Sequence, residues 1–233
     1  MKLNADLSQA ASCQTNEIPW ESSPSPGVQR RRIECDDDQP PVERVTTLVR
    51  FAPGSAFSGH VHGGGEEFLV LEGVFSDQHA DFPAGYYVRN PRGTGHAPHS
   101  NEGCTILVKL WQMHPQDQQQ LAINTRDASL WKTDPQYGQR LSLFSADYET
   151  VCMMKWRSGL QLDNLCFPGG VEYFVLEGGF SDQHGRHTAG SWLRLPAGSK
   201  QNIQVMRDCL LLRKSGHLLQ PIDYTRQLKR YSS

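Results

Sequence analysis

The sequence predicts an all-β protein made of two copies of one small β domain in tandem, and three observations lead there. Short apolar, β-branched runs alternate with Gly, Pro and Asp turns along the whole chain, the spacing of a sandwich or barrel. The second half repeats the first at a fixed offset. One copy carries a group of histidines and a carboxylate that the other copy lacks.

The totals leave room for this reading. At 233 residues, two β domains of ordinary size fit, each able to bury a core. With a formal net charge of -2, there is no basic stripe to attract nucleic acid or an anionic membrane. No apolar run is long enough to span a bilayer as a helix. The cysteines at 13, 35, 104, 152, 166 and 209 are scattered, with no Cys-x-x-Cys pair, and the first residues show no apolar export segment. Reduced thiols and a cytoplasmic location are therefore the expectation.

Taken in order, residues 1–17 are polar and unpatterned and read as a flexible N-terminal tail. Dense punctuation at Pro24, Pro26 and Gly27 precedes a strand-like run. Asp36, Asp37 and Asp38, followed by Pro40 and Pro41, then read as a solvated surface loop. Residues 42–51 (VERVTTLVRF) have the composition and length of a strand. Further strands are expected in FLVLEG from 68, YYVRN from 86 and CTILVKL from 104. The only helix-like stretch is the short PQDQQQLAIN at 115–124.

Adding 105 to residues 50 through 109 reproduces the second half without a gap. VLEG at 70–73 returns at 175–178, and FSDQH at 75–79 returns at 180–184. Upstream the offset is 111, because Trp20, Pro24 and Gly27 match Trp131, Pro135 and Gly138; the difference falls between Ile33 and Arg50. The expected boundaries are a tail at 1–17, a first domain at 18–115 and a second at 116–233, linked near residues 114–120.

His60, His62, Glu66 and His96 form the candidate metal site. Residues two apart on a strand share a face, so His60 and His62 project together. Gly63, Gly64 and Gly65 permit a tight turn that returns Glu66 to them. Three imidazoles and a carboxylate suit a divalent first-row ion and leave positions for water or substrate. In the second copy the four become Leu165, Phe167, Val171 and Gln201. The frame stays while the four candidate ligands go together, as expected of residues that act as a unit. Buried without a metal, such a group would carry a desolvation cost of several kcal/mol.

The repeat also weighs the rivals. Glu67 recurs as Glu172, so it reads as scaffold or surface, not as the ligand. His79 and His184 share the repeated FSDQH and read as turn residues or domain contacts. His99 is a candidate partner for a ligand or an exposed loop histidine. Tyr86 and Arg92 are candidates for the rim of a pocket. Cys104, repeated as Cys209, reads as a buried small hydrophobe.

Two spaced motifs now carry a resemblance. Gly54-(x5)-His60-x-His62-(x3)-Glu66-(x6)-Gly73 and Gly85-(x5)-Pro91-x-Gly93-(x2)-His96 resemble the two motifs of the cupin superfamily. The Asn that often follows the last histidine is displaced to Asn101. The wording from about residue 20 to 115, with a weaker echo to 217, is further similar to the ChrR-like anti-sigma-factor cupins. This resemblance implies two jelly-roll barrels, a bicupin, with zinc, or alternatively iron, manganese or nickel, on His60, His62, Glu66 and His96. It implies a regulatory, sensor or ligand-binding role, with a small molecule or O2 at the metal. The alternative it implies is a non-haem dioxygenase cleaving diketone-like substrates or aromatic ketones. The sigma-binding relatives carry a helical zinc segment with a His-x3-Cys-x2-Cys pattern, which this sequence does not show. Sigma-factor binding is therefore not expected, and a homodimer is a prior for a β protein with edges to cover.

Overall fold

The computed structural model describes residues 1–39 and 42–219. It is all-β, with two antiparallel sheet systems and two single-turn 3-10 helices, Thr15–Glu17 and Ala128–Leu130. The chain divides into two compact units. Among the described residues, one is Met1–Ala5 with Ile18–Arg126; the other is Asp6–Glu17 with residues 127–219.

In the first unit the main strand order is Lys2–Leu3, Val28–Gln39, Val42–Phe51, Cys104–Leu110, Glu66–Ser76, Tyr86–Asn90 and Leu121–Asn124. The expected strands fall where alternation and β-branching placed them: the run at 42–51 is one strand with no overhang. Alternation decides what each residue faces. Val28, Phe51, Phe68, Val70, Phe75, Ile106 and Val108 point together into the first core. The small pair His60–Val61 and Gly95–His96 closes one side, with His96 opposite His60.

The second unit repeats the order: Lys132–Asp134, Gly138–Ala146, Glu149–Trp156, Ser199–Ser215, Val171–Asp182, Ser191–Leu195 and Ala11–Gln14. Leu165, Phe167 and Val171, standing where the first copy has candidate ligands, join Trp156, Tyr173 and Phe180 in its core. The offset change between copies is the longer first hairpin. Its arms have 12 and 10 residues against 9 and 8 in the second copy. The acidic run 36–38 thus belongs to a hairpin arm and not to an irregular loop, with Asp36 opposite Arg44; Pro40 and Pro41 lie outside the described residues.

Residues 1–17 are not a free tail. Ala11–Gln14 pairs with Ser191–Leu195, and Thr15 donates through its hydroxyl to Gly190 O at 2.7 Å. The equivalent strand in the first unit is Leu121–Asn124 against Tyr86–Asn90, with Thr125 donating to Gly85 O at 2.7 Å. Each sheet therefore takes its outer strand from the segment that precedes the other copy. The physical reason is the same twice: a buried strand with one edge unpaired leaves N–H and C=O groups that need partners. The helix-like stretch 115–124 ends in a strand for this reason. Residues 114–120 are not a slack link either. Asp117 is buried and paired with Arg89, whose other amine meets Glu67 at 2.7 Å.

Removing residues 1–17 is expected to lower the unfolding midpoint by the equivalent of about 2 kcal/mol or more, since a strand, its backbone bonds and the Asp6 and Gln9 carbonyls that hold buried Arg194 are all lost. Urea unfolding of the full and shortened chains checks this; equal midpoints would return the segment to a frayed tail.

Candidate metal centre

The four predicted residues come together. One donor atom from each of His60, His62, Glu66 and His96 lies within 4.8 Å of the others, the group being three buried residues and one exposed, His60. The imidazole centroids are 4.7–5.2 Å apart. His60 and His96 are set opposite each other by their strand pair, their rings edge-on at 74°, while His62 follows with its backbone N–H on Thr94 O at 2.8 Å.

The glycine run does more than turn. Only Gly65 has a positive φ, +77°. Gly63 and Gly64 are bare because the indole of Trp111 lies on them. A Cβ on Gly64 would sit 2.4 Å from the ring, and one on Gly63 2.6 Å. Trp111 itself takes φ +58° to reach them. The indole thus presses the turn that joins His62 to Glu66.

Each imidazole has its Nδ1 engaged away from the centre. His60 Nδ1 meets Ser58 O at 3.0 Å and His96 Nδ1 meets Asp77 Oδ2 at 3.3 Å, both acceptors. His62 Nδ1 meets Thr94 Oγ1 at 3.1 Å, and that hydroxyl has already given its proton to Pro91 O at 2.6 Å. Nδ1 therefore carries the proton in all three rings, and Nε2 presents a lone pair inward. Asn90 donates to Glu66 Oε2 at 3.1 Å and is itself fixed by Gln120, which donates to Asn90 Oδ1 at 3.2 Å.

The electrostatics suit a divalent cation. His62 Nε2 and His96 Nε2 are buried with no hydrogen-bond partner. Both approach Glu66 Oε2 at 3.4 Å, yet these are not ion pairs. Burial, followed by the neighbouring His96 and His60, pushes His62 down to about 3. Burial also lowers His96, against the pull of Asp77. Burial raises Glu66 to about 7, opposed by the Asn90 bond. Two buried, unpartnered imidazole nitrogens converging with His60 and Glu66 fit a divalent ion held by three nitrogens and one carboxylate oxygen.

The other candidates are sorted by position. Glu67 points to the opposite side of its strand, where it accepts from Tyr87 at 2.6 Å and from Arg89. It is buried scaffold, and Glu172 does the same work, accepting from Trp192 Nε1 at 2.7 Å. His79 and His184 are exposed turn residues whose N–H groups cap Asp77 and Asp182. His99 sits in a strand opposite Ala56 and Ser76, away from His96 Nδ1, which Asp77 holds. Tyr86 packs on Phe82 and Arg92 donates to Gly63 O, so neither lines the cavity. Burial pushes the Cys104 thiol to about 11 and Cys209 to about 12, which makes both inert. Asp77, Asn90 and Thr94 were missed by sequence reasoning. The signal for Asp77 lies in the repeat itself: Asp77 recurs as Asp182, and Asp182 accepts from Gln201 at 2.6 Å where Asp77 meets His96.

A cavity of about 860 Å³ opens onto His60, His62 and Glu66. Its walls include Val49, Phe51, Phe57, Ile106, Val108 and Trp111.

Comparison with known proteins follows these lines. The ChrR Cupin-like domain matches twice, over residues 8–114 and 118–219. No curated protein matches the chain. Among solved structures, a candidate dioxygenase from Nostoc punctiforme shares 15% identity at a TM-score of 0.72, covering 91% of this chain and 85% of its own. A pirin from Escherichia coli in complex with nickel(II) shares 14% identity at 0.67, covering 92% and 100%. Oxalate decarboxylase from Bacillus subtilis shares 11% identity at 0.63, covering 88% and 76%. At these identities the likeness is one of fold.

Metal uptake is expected to displace a proton from Glu66 below pH 7. The affinity should rise about tenfold per pH unit up to about 7 and then level off. In the metal-free protein the sign is opposite for stability. The native state keeps the Glu66 proton that the unfolded chain gives up near 4.5, so stability falls between about pH 4.5 and 7. Titration calorimetry with zinc across this range, and urea unfolding of metal-free protein, check both; flat profiles would contradict them.

Asp77→Asn is expected to weaken metal binding by about 10–100-fold while leaving the fold intact, because the His96 ring then meets a neutral amide in place of a charged carboxylate acceptor. Competition with a chelator measures it.

Proposed function

The chain belongs to the ChrR cupin-like family, with one copy of the domain in each half, and on that premise we propose that its first barrel is a metal-dependent site for a small organic molecule. His60, His62, Glu66 and His96 would hold the ion, and the molecule would occupy the adjoining cavity. The single observation that carries this is the convergence of the buried, unpartnered His62 and His96 nitrogens beside a large cavity that His60, His62 and Glu66 line. The cavity volume falls in the range of ordinary ligand sites. The second barrel, with Leu165, Phe167 and Val171 in its core, serves as scaffold.

An ion there supplies Lewis acidity and, for a redox-active metal, a place for O2. The residues around it fix the three imidazole tautomers and hold Glu66 through Asn90. The role is either retention or sensing of the bound molecule, or its oxidation as a non-haem dioxygenase of diketone-like or aromatic ketone substrates. The oxidative reading is favoured over hydrolysis by the cavity's own groups. Asp37 is taken up by the terminal amine, and burial raises the Cys35 thiol. Apart from the candidate ligands, that leaves no unengaged base among the described lining residues. Sigma-factor binding is no part of the proposal. The pirin's nickel and the decarboxylase's activity belong to those proteins. A cytoplasmic location and a homodimer remain proposals.

Elemental analysis of protein purified without added metal, with O2 uptake on a series of diketones, tests the reading. About one ion per chain, lost in His96→Ala, is expected. Iron with O2 uptake points to the oxygenase; zinc without uptake points to binding. Less than about a tenth of an ion per chain, unchanged in His96→Ala, overturns the proposal.

A further inference from the structure

One charged group in the cavity is not accounted for by the metal. Arg30 lies on the inward face of Val28–Gln39, opposite Val49 and two residues beyond core residue Val28. Its side chain lines the cavity that His60, His62 and Glu66 share, its Nε is buried, and no partner for its guanidinium is found among the described residues. The other charges on that wall are spoken for. Arg32 donates to Glu21 at 3.0 Å, and Asp37 holds the terminal amine. The neighbouring Arg31 and Arg50 stack on Trp20, each 4.3 Å from its centroid, and Arg31 is not among the cavity-lining residues.

A half-buried guanidinium with no protein anion and an unpartnered, buried Nε sets a full positive charge on the cavity wall. With a divalent ion partly neutralised by Glu66, the cavity carries net positive charge. Its remaining wall is mainly aliphatic and aromatic, with the hydroxyls of Ser23, Thr47 and Ser58 among it. We infer that the ligand of this site is an apolar molecule bearing a carboxylate, whose carboxylate pairs with Arg30 while its body fills the apolar wall and faces the metal. A planar fork of donors is suited to hold two carboxylate oxygens at once.

The second copy supplies a matched control. Arg140 stands opposite Met154 as Arg30 stands opposite Val49, since Met154 is the repeat partner of Val49. Arg140 also has an unpartnered Nε. The barrel behind it, however, has Leu165, Phe167 and Val171 packed in its core where the first copy opens toward its candidate ligands. An arginine thus stands at the same register position in both copies, and only the first sets it in a cavity with metal donors.

This inference rests on the proposed use of the same site, and the experiment separates the two. Binding of benzoate, phenylacetate, 4-phenylbutanoate and octanoate, each against its own amide, is measured by calorimetry on zinc-loaded protein. Metal-free protein and the Arg30→Met, Arg30→Lys, Arg140→Met and His96→Ala variants follow. At least one acid is expected to bind about tenfold or more tightly than its amide. That preference should vanish in Arg30→Met, return in part in Arg30→Lys, and survive in Arg140→Met. It should also survive metal removal and His96→Ala, which separates a guanidinium contact from direct ligation of the ion. Metal content unchanged in Arg30→Met shows that the variant has kept its site. Equal binding of every acid and amide, or a preference that follows the metal instead of Arg30, overturns the inference while leaving the metal site itself standing. Failure to hold metal overturns the site's proposed use and leaves the Arg30 preference to be read on its own.

Discussion

Two buried carboxylates stand side by side on one strand, Glu66 and Glu67, and the first barrel is arranged around keeping them apart. Alternation sends them to opposite faces, and neither face has water to spare. Glu67 is satisfied by protein cations and hydroxyls, Arg89 and Tyr87, with Asp117 completing the group. A single partner removed from such a group would leave a bare charge indoors, which costs far more than the pair gains. Glu66 receives one amide bond and two imidazole lone pairs, an environment that satisfies a carboxylate only if a cation is present. The same strand thus carries one closed electrostatic account and one open one, and the open one faces the cavity.

The second copy shows how the open account is closed when no metal is wanted. Leu165, Phe167 and Val171 become core, and Gln201 bridges Tyr173 and Asp182 with both ends of its amide engaged. Glu172 and Arg194 stay, because the Glu67 side of the strand is needed by the fold in either copy. Burial of an aromatic and two aliphatic side chains replaces the metal's contribution with ordinary packing. The Asp182 to Gln201 bond preserves the frame of the Asp77 to His96 bond with a neutral partner that binds no ion.

The sequence makes the strand pattern legible because β-branched alternation is strong in 42–51, 86–90 and 104–110. It makes the four candidate ligands legible because the repeat removes them together. What stays hidden is what the local pattern cannot encode. Ala11–Gln14 and Leu121–Asn124 are short, mixed in polarity, and become strands only because a neighbour offers an edge. Asp117 looks like part of a polar link until Arg89 is seen behind it. Trp111 explains Gly63 and Gly64 by contact from a strand end far along the chain, so turn geometry alone assigned those glycines an incomplete reason. Arg30 sits in a run of three arginines, and only the interior face distinguishes it from Arg31.

The crossed outer strands mean that the unit duplicated in the sequence is not the unit that folds. A single copy, cut at the repeat boundary, would carry its leading strand but lack a second barrel to receive it, and its own barrel would lack an outer strand. An ancestor with one copy could satisfy both needs only by trading strands with a twin molecule. Joining two such chains end to end would turn that exchange into an internal one. From then on one barrel could do without the candidate ligand set, because its remaining duty was to hold a strand and offer one.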